Sequence, residues 1–503
     1  MKQLSGLDAA FLHMETSTTF GHVTSVMIFE RPRRDYDAYA AVYAKFASLV
    51  GELEPLRRRL VEVPFGLDHP YWVSDPNLDL DFHIRELRLA KPGLIDQLAD
   101  QVCRIVGRPM DRTRPLWEVY VIDGLADGRW ALLTKYHHAT IDGASGQLML
   151  QIVTDTAPDA LPPGDGSQWQ SESLPGAGEL LRRTAIRLAG NPFRAIRVQT
   201  RIVRQLADAA GIRGVGSAAA VAGSVVKRVA GTGIGDLARV SLPSVSAPSA
   251  PWNKTITAHR RFAMRTTSLE NIKRLKEATG GTVNDIVMAI CAGGLREYLL
   301  AHDALPDRPL RAMVPVSIRT GDEADPWTNR VSAIVADLPT DCADPLERVE
   351  LCRAAMRQAK RRFELVPAEE LADLTRYSAP VLSTSAVRLA SRLQLANRVG
   401  LPFNVVISNV PGPRRPLYFA GAKLCHQFPV SIVTDGQGLN ITVVSYLDRL
   451  DFGFIADREL VPDVWDLADM HIAEIGRLFD ATGAQWAQPL RPALPRRGRG
   501  GAH

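Results

Sequence analysis

The chain has 503 residues with 46% hydrophobic and 23% charged side chains and a formal net charge of +5, the profile of a globular protein too long for a single core. That balance excludes a disordered or fibrous chain, and no uncharged apolar run reaches the ~18 residues of a spanning helix. The N-terminus lacks the apolar centre of a secretory signal, and the scattered Cys103, Cys291, Cys342, Cys352 and Cys425 predict reduced thiols in the cytoplasm.

In chain order, residues 23–29 read as a strand, 36–50 as a helix and 131–136 as an apolar strand. The last of these runs into His137-His138-Ala139-Thr140-Ile141-Asp142-Gly143, and a helical pattern resumes at 146–153. A strand end is a rigid mount, and successive residues in extended chain point to opposite sides. One imidazole can therefore reach a substrate while the other packs behind it. Asp142, before a glycine that permits a sharp turn, can fold back to orient the site. Divergent neighbouring histidines argue against a metal pair, and no Cys-x-x-Cys or His-Glu-x-x-His occurs, so no metal is expected. A purely structural pair is the other alternative.

Residues 179–228 carry ten basic side chains: Arg182, Arg183, Arg187, Arg194, Arg197, Arg201, Arg204, Arg213, Lys227 and Arg228. Glu179 and Asp208 oppose them, so the segment is at +8 and the rest of the chain at −3. Up to Leu206 the arginines alternate with aliphatic residues in a helical pattern broken by Gly190 and Pro192. Such a segment suits an anionic lipid surface, at ~1 kcal/mol per basic residue near it, or a linker helix docked on its own domain. Nearly absent aromatics and the lack of a binding motif count against nucleic acid.

Beyond it, 256–265 alternates as a strand, 267–279 reads as a helix capped by Thr267 or Ser268, and Thr282 caps a helix over 283–300. Segments 311–318, 403–407, 439–446 and 452–456 read as strands and 467–479 as a closing helix. The tail from Gln488 mixes arginine with proline and glycine and is expected to be disordered. The division expected is 1–165 and 253–485 as two α+β halves, 166–252 as the basic linker and 486–503 as tail.

HHxxxDG is the signature of the CoA-dependent acyltransferase superfamily, and further motifs follow in order along residues 1–480. They are Leu7-Asp8-Ala9-Ala10-Phe11-Leu12, Arg114-Pro115-Leu116-Trp117-Glu118, Asn284-Asp285, Val314-Pro315-Val316-Ser317-Ile318-Arg319 and Ser408-Asn409-Val410-Pro411-Gly412-Pro413. With these the chain resembles the bacterial wax ester synthase/acyl-CoA:diacylglycerol acyltransferase family. The resemblance implies an α+β fold of two chloramphenicol-acetyltransferase-like domains, mixed sheets flanked by helices, with the active-site channel at their interface. It implies an O-acyltransferase moving a long-chain acyl group from acyl-CoA to diacylglycerol, with wax ester synthesis from long-chain alcohols or a catalytically silent lipid-binding role as alternatives. Acyl-CoA is then a co-substrate and no cofactor is expected. The expected location is cytoplasmic, peripheral to the inner membrane face or to lipid droplets.

The resemblance gives the base role to His138; the local pattern does not separate it from His137. It makes Asp142 an orienting group paired with an arginine, Arg319 or Arg114 here, beside Gly143. Asn284 and Asp285 are candidates for the channel or oxyanion region, or a helix cap. Ser408 and Asn409 precede a turn able to present oxyanion donors. Trp117 is expected to pack near the site. No Gly-x-Ser-x-Gly elbow or phosphate loop occurs, so direct transfer without an acyl-enzyme is expected.

Overall fold

The computed structural model describes residues 1–141, 143–159, 171–190, 247–317, 327, 329, 331–364, 391, 394–397 and 400–488. The fold is mixed α/β, and its described residues include two six-stranded sheets and a small three-stranded one. The first large sheet runs in the order Tyr418–Phe419, Ala422–Val430, His22–Phe29, Trp130–His137, Trp117–Asp123 and Ile84–Arg88. The second runs Val331–Leu338, Leu310–Ser317, Val405–Val410, Leu439–Tyr446, Arg449–Asp457 and Arg260–Ser268. Both are mixed: Ile84–Arg88 lies parallel to Trp117–Asp123, and Val405–Val410 is parallel to both its neighbours.

Trp130–His137 is buried at every position, which is why it reads as one apolar run rather than an alternation. Lys135 is tolerated inside it because its ammonium donates to the carbonyls of Arg108 at 2.9 Å and Ile105 at 3.3 Å, beside Glu118 at 3.3 Å. His22–Phe29 pairs with it antiparallel from His22↔His137 to Phe29↔Trp130. The first sheet thus delivers both histidines to the end of a central strand, and the helix Gly143–Val153 leads away.

In the second half, Thr282 caps the helix Val283–Ala301: its hydroxyl accepts the Asp285 N–H at 3.2 Å, and Asp285 accepts the Thr282 N–H at 2.9 Å. That helix packs against Val464–Thr482 at Gly293 and Gly294, where an added methyl would fall 2.2 Å from Glu474 and 2.4 Å from His471. Ser268, not Thr267, caps Leu269–Thr279. The strand expected from 256 begins only at Arg260, because the N–H groups of Ile256 and Thr257 are taken by the carboxylates of Asp435 and Asp457.

One crossing ties the halves together. Tyr418–Phe419 and Ala422–Val430 follow the second half's Val405–Val410 in sequence, yet join the first sheet, where Ala422–Val430 pairs with His22–Phe29 and Tyr418–Phe419 with Ala422–Val430. Burial on both faces and Pro429 within the strand hide this segment from a period-two reading. Trp327, also from the second half, packs into the first sheet's cluster with Tyr136, Ile141 and Leu417.

Candidate active site

The two histidines are held in opposite tautomers. His137 is buried and receives the Ala139 N–H on Nδ1 at 3.1 Å, so its proton sits on Nε2. Nε2 lies 3.2 Å from Glu15 Oε1, which also accepts the Gly21 N–H at 2.7 Å. The other Glu15 oxygen accepts from Arg112 at 2.7 Å. Burial opposes charge on Glu15, but His137, Arg112 and the Gly21 N–H outweigh it and hold the carboxyl well below the usual range. Gly21 leaves no room behind: an added methyl would meet His137 Nε2 and the Phe11 carbonyl, each at 2.7 Å.

His138 is half-buried at the strand end, and described neighbours restrain it. Its N–H donates to the Gly21 carbonyl at 2.7 Å, and Phe11 stacks on its ring at 3.9 Å and 10°. Asn329 makes two contacts with it: its Nδ2 donates to the His138 carbonyl at 2.7 Å, and its Oδ1 lies 3.1 Å from His138 Nδ1. A carbonyl can only accept, so the amide orientation is fixed, and Oδ1 can only accept from Nδ1–H. The lone pair of His138 is therefore on Nε2. The loop beyond is pinned where buried Arg58 donates to the Thr140 carbonyl at 2.7 Å.

Sequence reasoning finds the histidines but not Glu15, Gly21, Phe11 or Asn329 as their supports. Leu7–Leu12 is visible as a motif; nothing local marks which of its residues faces His138. Asp142 and Arg319 lie outside the described residues, and Gly143 opens the helix after the loop. Arg114 lies 3.6 Å from Asp79 and 4.4 Å over the Phe82 ring. Trp117 is core: it stacks on Phe46 and His83, and its indole N–H donates to the Leu56 carbonyl at 2.8 Å. Burial pushes the stacked His83 down to about 4.

Asn284 and Asn409 meet in the second half, where the Asn409 amide donates to Asn284 Oδ1 at 3.4 Å. Asp285 is spent on the cap. Ser408 lies opposite Thr442 within the strand Val405–Val410, so the turn begins only at Pro411. Among the described residues, no hydrogen bond joins these groups to His138, and no three His, Cys, Asp or Glu side chains are grouped to hold a metal.

Of the basic segment, the described part is the helix Ala177–Gly190. Leu180 packs with Val63 and Tyr71, Arg187 pairs with buried Asp68, and Arg183 pairs with Glu179. On this helix Ile186 is 62% exposed, and beside it Phe65 is 80% exposed. Arg194, Arg197, Arg201, Arg204, Arg213, Lys227 and Arg228 lie outside the described residues. Among the described residues, no helix is long and apolar enough to cross a membrane.

Comparison with known proteins gives concordant results. Residues 4–287 match the wax ester synthase/diacylglycerol acyltransferase catalytic domain, and residues 327–478 match the C-terminal domain of the same family. A Mycobacterium tuberculosis protein named as a probable diacylglycerol O-acyltransferase is 33% identical over 90% of this chain and 94% of its own. The O-acyltransferase WSD of Acinetobacter baylyi is 32% identical over 96% and 98%. Among solved structures, the wax ester synthase/diacylglycerol acyltransferase of Marinobacter aquaeolei aligns with a TM-score of 0.67 and 32% identity, covering 96% of this chain and 100% of that one. A condensation domain of the calcium-dependent antibiotic synthetase, 16% identical with a TM-score of 0.51, shares the fold alone.

Proposed function

The chain belongs to the wax ester synthase/diacylglycerol acyltransferase family and is an acyltransferase, and from that premise we propose that it moves a long-chain acyl group from acyl-CoA to the hydroxyl of diacylglycerol, with His138 as general base. The observation that carries the base assignment is the pair of opposite tautomers. His137 has its Nδ1 lone pair tied to a backbone N–H and its Nε2 3.2 Å from the Glu15 carboxylate, whereas His138 has its Nδ1–H held by Asn329, which puts the lone pair on Nε2.

His138 Nε2 takes the proton of the acceptor hydroxyl as the oxygen attacks the thioester carbonyl. The tetrahedral intermediate collapses by expelling CoA thiolate, which recovers the proton from the imidazolium. A near-neutral imidazole suits both transfers, and such base catalysis is worth ~10²–10⁴ in rate. The base makes no distinction between diacylglycerol and a fatty alcohol; an apolar tunnel separates them by only ~1–3 kcal/mol per methylene-sized difference. Diacylglycerol is preferred because several relatives carry that name.

Such acceptors are water-insoluble, so the enzyme works at a membrane or lipid-droplet surface on the cytoplasmic side. The +8 segment at 179–228 supports that placement, as do exposed Ile186 on its first helix and Phe65 beside it. The test is CoA-thiol release from palmitoyl-CoA with diacylglycerol or hexadecanol offered separately. Acceptor-dependent release, faster with diacylglycerol, supports the assignment. Preference for hexadecanol would make the chain a wax ester synthase, and no release with either would remove the transfer reaction.

A further inference from the structure

Asn329 lies 191 residues from His138 in the chain, just before the strand Val331–Leu338 of the second sheet, and is buried. Both donor hydrogens and the oxygen of its amide are in use: one Nδ2 hydrogen goes to the His138 carbonyl, the other to Asp8 Oδ1 at 2.5 Å, and Oδ1 receives the His138 Nδ1–H. The Asn329 backbone N–H also reaches Asp8 Oδ1, at 3.3 Å.

Asp8 is itself fixed. Ser5, the N-cap of the helix Gly6–His13, donates through its hydroxyl to Asp8 Oδ2 at 2.7 Å and accepts the Asp8 N–H at 3.1 Å. The same helix carries Phe11, which stacks on the His138 ring.

A flipped Asn329 amide would accommodate the other tautomer of His138, with Nδ2–H donating to an unprotonated Nδ1. The flip would also turn Oδ1 toward the His138 carbonyl and the Asp8 carboxylate, three acceptors with no hydrogen between them. The His138 carbonyl and Asp8 together therefore decide the amide orientation, and the amide decides the tautomer. We propose that Asn329 is a positioning residue whose amide, anchored by Asp8, keeps the proton on His138 Nδ1 and the reactive lone pair on Nε2. The proposal rests on His138 being the base. It gives the second half of the chain a direct hold on the reacting imidazole.

The test uses the full-length chain with ¹⁵N-labelled histidine, His138 being assigned by its loss in His138→Ala. Asn329→Ala should lower kcat by about 10- to 100-fold, the size expected for a group supporting a reactive side chain, with KM for palmitoyl-CoA nearly unchanged. The His138 nitrogen shifts should move from the Nδ1–H form toward a mixture. Asp8→Ala should do the same more weakly, and Asp8→Asn, which keeps an acceptor oxygen, should recover most of the loss. Because the two residues act as one unit, the double variant Asn329→Ala/Asp8→Ala should be no slower than Asn329→Ala alone. A wild-type kcat and unshifted tautomer in Asn329→Ala, even with reduced thermal stability, would overturn the proposal and leave Asn329 as a packing residue. If His138→Ala kept full turnover, the base assignment beneath it would fall instead, so the two failures are told apart.

Discussion

Replacing Glu15 with glutamine isolates the electrostatic support behind the two histidines. The carboxylate holds the Gly21 N–H, sits 3.2 Å from His137 Nε2 and accepts from Arg112. The Glu15→Gln side chain keeps an acceptor for Gly21 but loses the charge. Hydrogen bonds to charged groups contribute about 1.5–3 kcal/mol each. Arg112 is a third exposed and keeps the Leu12 carbonyl at 2.8 Å and Glu62 at 3.3 Å, so its share falls at the low end. Burying a neutral amide instead of a carboxylate also recovers part of the desolvation cost. The net expectation is a loss of about 2 kcal/mol at pH 7.

The sign with pH follows from linkage. The folded carboxyl titrates below its unfolded counterpart, so its contribution is full above the ordinary glutamate value of about 4.3 and is lost progressively as pH falls below it. Urea unfolding of both proteins at pH 7 and near pH 4 should therefore show a gap that narrows on acidification. A gap of equal size at both pH values would refute the electrostatic account and leave only altered packing.

Three further variants probe neighbouring claims. Trp117→Phe strands the buried Leu56 carbonyl and opens space against Phe46 and His83, so it should cost about 2–4 kcal/mol by urea midpoint while leaving kcat of the folded enzyme intact. A stable variant with poor turnover would instead put Trp117 against substrate. Gly21→Ala drives a methyl into His137 and the Phe11 backbone and should lower both Tm and kcat, at about 1–3 kcal/mol of strain; unchanged values would mean the site relaxes freely. Neutralising Arg194, Arg197, Arg201 and Arg204 should weaken sedimentation with anionic liposomes, with the difference shrinking at high salt. Equal binding would make the segment a linker only.

Local chemistry makes much of this fold legible in the sequence. The strand, the HHxxxDG turn and the helix after it follow from a change of period. The Thr282 cap follows from a hydroxyl placed three residues before Asp285. What stays hidden is non-local. Asn329 carries no pattern of its own, and its role exists only because the chain folds it onto His138 and Asp8. Phe11 lies within a visible motif and Glu15 just beyond it, but their partners are set by pairing His22 with His137. The crossing of 418–430 into the first sheet is hidden for the same reason: a strand buried on both faces has no alternation to read. Conversely, Asp285 and Trp117 are visible as motif residues, and the structure occupies both with folding tasks.

The central claim is that His138, not His137, accepts the proton during acyl transfer. The most direct measurement is acceptor-dependent CoA release from palmitoyl-CoA by His138→Ala, with Tm recorded to confirm an intact fold. The account predicts a fall of at least about 10²-fold in kcat at near wild-type Tm. Turnover close to wild type in the folded variant would contradict it and return the base role to another group.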